Sequence, residues 1–112
     1  MDAIPKDRLT PLLATLSLAA ATMLVPAAAL AVDVDAAKEL ARQNNCFRCH
    51  AVDKEKVGPA WKDVAAKLKG NKDAEAMLIK HLTGAGKDPN HPVVKAKSPD
   101  DVKNLADWIL SL

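Results

Sequence analysis

The sequence predicts an all-α domain of about four short helices. Three observations predict it. Between residue 32 and the C terminus, apolar residues recur at helical spacing in four separate stretches, and no stretch alternates in the manner of a half-buried strand. Capping and stopping residues flank those stretches. The chemically richest cluster, Cys46-Phe47-Arg48-Cys49-His50, follows the first of them directly and so sits at a helix end. No internal repeat or low-complexity tract is visible in this part of the chain.

The first helix is capped by Asp33 or Asp35 and runs through Ala36-Ala37-Lys38-Glu39-Leu40-Ala41-Arg42-Gln43. Ala37, Leu40 and Ala41 share one face, and their small size permits a close crossing with another helix. Residues 51–59 form a loop, charged at Asp53-Lys54-Glu55-Lys56 and punctuated by Gly58-Pro59. The stretch 61–69 is a short amphipathic helix with Val64, Ala65 and Leu68 on its apolar face, stopped by Gly70-Asn71. Asp73 starts a third helix, with Ala74, Met77, Leu78 and Leu82 on one stripe and Gly84 and Gly86 at its end. Residues 85–97 show no period, and Pro89 and Pro92 forbid regular structure. A loop carried on a rigid scaffold is where function often lies. Ser98 caps the last helix, Pro99 takes its first position, and Asp100 and Asp101 complement the dipole. Val102, Leu105, Trp108, Ile109 and Leu112 make a continuous apolar stripe that is expected to pack on the first helix.

The N-terminal residues differ in kind. Lys6 and Arg8 precede an apolar run rich in Ala and Leu from Leu12 to Leu30, which ends in the small-x-small pattern Ala29-Leu30-Ala31. We read residues 1–31 as an export signal cut after Ala31, leaving residues 32–112 as one domain. Asp2 and Asp7 weaken the basic start, and an uncleaved anchor is the rival reading. Pro26 and the high Ala content argue against the anchor. The mature form then has no membrane span, and in a bacterium it works in the periplasm.

The Cys46–His50 cluster has the spacing used to attach haem covalently. Each thiol adds to one vinyl group of the porphyrin, the two intervening residues set the distance between the sulfurs, and the adjacent histidine is directed at the iron. Cys46 and Cys49 are the only cysteines, which removes a disulfide framework. A zinc site remains as an alternative but lacks a second cysteine pair, and His81 and His91 are too far apart for finger spacing. A redox dithiol also remains, without the βαβ pattern that normally carries it. One covalent haem c would give a domain this small the apolar centre it otherwise lacks.

The chain has 16 basic and 14 acidic residues, a net charge of +2. That balance does not suggest nucleic acid as a partner. Lys54, Lys56, Lys62, Lys67, Lys69, Lys72, Lys80 and Lys87 are dispersed, as on a solvated surface; a weak docking ring for an acidic redox partner is the sharper reading.

Taken together, the haem cluster after an N-terminal helix, the segment Val57-Gly58-Pro59-Ala60-Trp61-Lys62-Asp63-Val64-Ala65 and the final Leu105-Ala106-Asp107-Trp108-Ile109-Leu110-Ser111-Leu112 resemble the small bacterial class I cytochromes c, short monohaem electron carriers. The resemblance implies the class I cytochrome c fold, with the N- and C-terminal helices packed together and the helices wrapped around one haem. It implies thioether bonds to Cys46 and Cys49 and iron ligation by His50. It also implies that the Pro59 carbonyl accepts from the other nitrogen of His50 and so fixes the ring. Trp61 would lie against the haem, or serve as an ordinary core aromatic.

One departure from that family stands out. Its members carry a methionine as sixth ligand in the loop before the last helix, and this loop has none. Met1 and Met23 lie in the export segment, and Met77 lies mid-helix on an apolar stripe, where a core role is the default. The loop instead offers His91, in Asn90-His91-Pro92-Val93-Val94-Lys95, about where the methionine would fall. A neutral imidazole ligates iron well, Pro92 stiffens the loop, and Val93-Val94 could seal the distal face. We therefore expect His91 as sixth ligand, with Met77 as the alternative. An open site, or His81, Lys95 or Asn90, remains beyond these. The expected function is periplasmic electron transfer among transient redox partners, at a lower potential than methionine-ligated relatives. The other class is a gas-binding or sensor haem protein with a displaceable sixth position. No distal acid–base pair points to an enzyme.

Overall fold

The computed structural model describes residues 19–21, 31–86 and 88–112. The expected export segment, 1–31, lies almost wholly outside the described residues. Four α-helices and one short 3-10 turn follow in order: α1 (Val34–Gln43), the turn Cys46–Arg48, α2 (Trp61–Leu68), α3 (Ala74–Leu82) and α4 (Pro99–Leu110). Among the described residues there is no strand. No helix among them is long and apolar enough to cross a membrane.

Asp33 is the α1 cap: its carboxylate accepts from the Ala36 N–H at 3.0 Å. Asp35 instead falls in the first turn, where its charge suits the dipole. α1 ends at Gln43, and Asn45 then takes a left-handed φ of 56°, which turns the chain into the cysteine segment. At α4, Ser98 accepts from the Asp101 N–H and Pro99 occupies the first turn, as the sequence predicts.

α4 is the central element and packs on α1, α2 and α3. Its stripe is buried as expected at Val102, Leu105, Trp108 and Ile109, with Leu112 half-buried. Ala106 joins them, and Ala37, Ala41, Leu105 and Ala106 are all 0% exposed where α1 and α4 pack together. Full burial of one leucine contributes roughly 2 kcal/mol. A reciprocal pair of hydrogen bonds locks the crossing: the Asp33 N–H donates to Asn104 Oδ1 at 2.9 Å, and Asn104 Nδ2 donates to the Asp33 carbonyl at 2.8 Å.

α3 departs from the expected pattern at one position. Ala74, Leu78 and Leu82 are buried, but Met77 is 48% exposed. It lies at the edge of the stripe, where its sulfur accepts from Asn71 Nδ2 at 3.3 Å and faces a cavity rather than the core.

Candidate haem site

The cysteine segment, the following loop, α2, α3 and residues 88–94 surround a cavity of about 750 Å³. Cys46, Cys49 and His50 line one side of it, and His81, His91 and Met77 contribute elsewhere to its wall. Pro59, Trp61 and Asn90 border the same space, whereas Lys95 does not line it. Among the described residues no group of three or more His, Cys, Asp or Glu side chains is close enough to hold a bare metal ion, which leaves the zinc reading without a site.

The His50 side is built tightly. The short turn at Cys46–Arg48 is closed by the Cys49 and His50 N–H groups, both donating to the Cys46 carbonyl, at 3.2 and 2.9 Å. The His50 ring approaches the Pro59 carbonyl with Nδ1 at 2.7 Å. A prolyl carbonyl can only accept, so the proton is on Nδ1 and the Nε2 lone pair is free. The loop from Ala51 to Pro59 is folded back by four bonds: Gly58 N–H to Cys49 O (2.7 Å), Lys56 N–H to Gly58 O (3.0 Å), Trp61 N–H to Ala51 O (3.0 Å) and Lys62 N–H to Val52 O (3.0 Å). Gly58 must be glycine for a steric reason. A Cβ there would lie 2.4 to 2.9 Å from three atoms of the His50 ring.

Trp61 is 5% exposed and packs as a core aromatic. Its ring stacks on His50 at 5.6 Å between centroids, meets Trp108 edge-on at 5.4 Å and tilts against Phe47 at 5.3 Å. The tryptophan therefore joins the His50 ring to α4. Burial holds the Cys46 thiol above its usual pKa, and the neighbouring Cys49 adds to the effect.

On the loop side, His91 is half-buried, and its Nδ1 approaches the Pro92 carbonyl at 2.9 Å. The same argument puts the proton on Nδ1 and leaves Nε2 free. The rings of His50 and His91 have centroids 6.2 Å apart. His81, on the last turn of α3, lies 4.0 Å from His91 by the same measure. Burial, and then the neighbouring His91, push the His81 pKa below the ordinary histidine value, which keeps that ring neutral. The two valines separate: Val94 is buried, with its N–H donating to the Leu82 carbonyl at 2.8 Å, whereas Val93 is 54% exposed. Asn90 and Lys95 are exposed.

Three residues that shape the site were not singled out from the sequence. Gly58 reads in the sequence as loop punctuation and as part of the segment resembling the family, without its approach to His50. Phe47 occupies a position between the cysteines that carries no pattern of its own. Asn44 carries no signal in the sequence, because its bonds to Lys95 span 51 residues.

An all-α domain with two thiols and an adjacent histidine on one apolar cavity is the frame of a protein that holds haem covalently. The comparisons agree. Residues 34–112 match the family model described as cytochrome c, and the chain belongs to that family. A cytochrome c-552 of Nitrosomonas europaea is 44% identical over 79 residues, covering 66% of this chain and 76% of the relative. A cytochrome c-551 of Pseudomonas aeruginosa is 39% identical over 101 residues, covering 88% of this chain and 94% of the relative. Among solved structures, the class 1 cytochrome MtoD of Sideroxydans lithotrophicus ES-1 superposes with a TM-score of 0.66 at 56% identity, covering 72% of this chain and 97% of that one. Membership brings one covalent haem c as the cofactor and electron transport as the class of function.

Proposed function

We propose that this chain is a periplasmic single-haem electron carrier whose iron is held between His50 and His91. Cys46 and Cys49 would form the thioether bonds, His50 would be the proximal ligand, and His91 the sixth. When bound, the haem supplies a one-electron ferric–ferrous couple. The residues do the rest. Pro59 orients His50 and makes its ring more basic. Trp61 and Gly58 confine that ring from either side, so that the ligand need not reorganise when the charge on the iron changes. Residues 1–31 would act as a cleaved export signal and residues 32–112 as the mature domain, which places haem attachment outside the cytoplasm.

One observation carries the ligand assignment: of the three imidazoles lining the cavity, His50 and His91 each have Nδ1 bonded to a prolyl carbonyl, which leaves the Nε2 lone pair for a ligand bond. Their spacing fits. The two ring centroids lie 6.2 Å apart, so His50 and His91 would both be placed to hold the iron of one bound haem. The Met77 sulfur, by contrast, is already engaged by Asn71. Two imidazoles favour the ferric state more than an imidazole and a thioether do, so the potential lies below that of methionine-ligated relatives. Partners are other redox proteins in small, weak contacts.

Carbon monoxide added to the reduced protein tests the saturated-carrier reading. Slow, weak binding is expected. Fast, tight binding would mean that the sixth position is open and that the protein is a gas-binding haem protein instead.

A further inference from the structure

The loop bearing His91 is joined to the end of α1, just before the cysteine segment, by one side chain. Asn44 is the residue after α1, two before Cys46. Its Nδ2 donates to the Leu40 carbonyl at 2.9 Å and to the Lys95 carbonyl at 3.0 Å, and its Oδ1 accepts from the Lys95 N–H at 2.8 Å. Both backbone groups of Lys95 are thus taken by one amide, 51 residues away in sequence. The Leu40 bond fixes the amide plane, so the pair to Lys95 meets a rigid partner.

The rest of the loop is held lightly. Among the described residues, Val94 N–H reaches the Leu82 carbonyl, Asn90 N–H reaches the Asp88 carboxylate at 2.9 Å, and His91 N–H reaches the Asp88 carbonyl at a long 3.3 Å. Pro89 and Pro92 have no N–H to offer. Between Val94 and His91, then, the nearest fixed points are the Leu82 bond and the Asn44 amide, and His91 itself is tied mainly to its own neighbour Pro92.

We infer that Asn44 is a positioning residue for the sixth ligand: its amide latches the loop at Lys95 and sets how readily His91 leaves the iron. This rests on the ligation proposed above. An aspartate at this position keeps the acceptor for the Lys95 N–H but loses both donors. An alanine loses all three bonds. Lost hydrogen bonds of this kind shift a local opening equilibrium by on the order of tenfold. The loop should therefore open more often in proportion, while the four helices stay packed.

The test is the rate of cyanide binding to the ferric holoprotein, in the wild type, Asn44→Ala, Asn44→Asp and His91→Ala, with amide hydrogen exchange at Lys95 followed alongside. We expect His91→Ala to bind fastest, Asn44→Ala to bind roughly tenfold faster than wild type, and Asn44→Asp to fall between. Lys95 exchange should rise in the same order for the two Asn44 variants while α1 amides stay protected. If His91→Ala is fast and both Asn44 variants bind at the wild-type rate, the latch is wrong and the ligation stands. If His91→Ala itself binds no faster than wild type, His91 is not the ligand, and both ideas fall. Should Asn44→Ala not fold, Asn44→Asp decides the matter by the same rates.

Discussion

Two of the three histidines lining the cavity, His50 and His91, are held in different ways. His50 sits in a segment where nearly every group is committed: its ring is bonded to the Pro59 carbonyl, stacked on Trp61, and so close to Gly58 that no larger residue fits. His91 sits in a loop that is held at Val94 and Lys95 and otherwise leans on itself. The difference teaches that the His50 ring is built into the fold, whereas His91 is carried by one loop; in the proposed ligation this chain uses histidine where the family resemblance leads one to expect methionine.

The largest expected effect lies on the proximal side. Trp61→Ala removes the ring that joins His50 to α4, and the holoprotein should lose about 3–5 kcal/mol of stability in urea unfolding. A loss under about 1 kcal/mol would show that Trp61 is not the keystone described here. Gly58→Ala should follow, at about 1–3 kcal/mol, because the added methyl strikes the His50 ring. The low-spin spectrum should be perturbed as well, whereas Val57→Ala, at an 85% exposed neighbour, should change stability by no more than about 0.5 kcal/mol. Equal effects at the two positions would remove the steric argument.

The loop side should behave oppositely. His91→Met is expected to alter stability by under about 1 kcal/mol, yet to raise the reduction potential in voltammetry, because a thioether favours the ferrous state. An unchanged potential would mean that His91 does not reach the iron. The smallest effect concerns Lys103, which bridges Glu75 at 3.2 Å and Asp107 at 2.6 Å and so ties α3 to α4. Hydrogen bonds to Asp107 and then Glu75 raise its pKa above the ordinary lysine value of 10.5. A raised pKa means a contribution that is fully present below the ordinary value and lost as pH rises through the folded one. Lys103→Gln should therefore lower stability slightly at neutral pH and flatten a slight alkaline decline. A decline that persists in the variant would assign it to other groups.

Much of this was legible in the sequence because the signals are local. The Cys46–His50 spacing, the Asp33 and Ser98 caps and the α4 stripe each depend on residues within a few positions of one another. Met77 was misread for a related reason: periodicity gives a face but not its width, and this residue sits at the edge, over the cavity. What was hidden is non-local. Asn104 with Asp33, and Asn44 with Lys95, are single amides bonding across 71 and 51 residues, and nothing near them in sequence marks the partner. The approach of Gly58 to His50 likewise exists only once the loop has folded back.

The central claim is that His50 and His91 share one iron. Low-temperature electron paramagnetic resonance with near-infrared magnetic circular dichroism on the ferric protein tests it most directly. The account predicts a purely low-spin signal with the charge-transfer band of two imidazoles. A histidine–methionine band would move the ligand to Met77, and a high-spin signal would mean that no side chain closes the sixth position; either result would contradict the account.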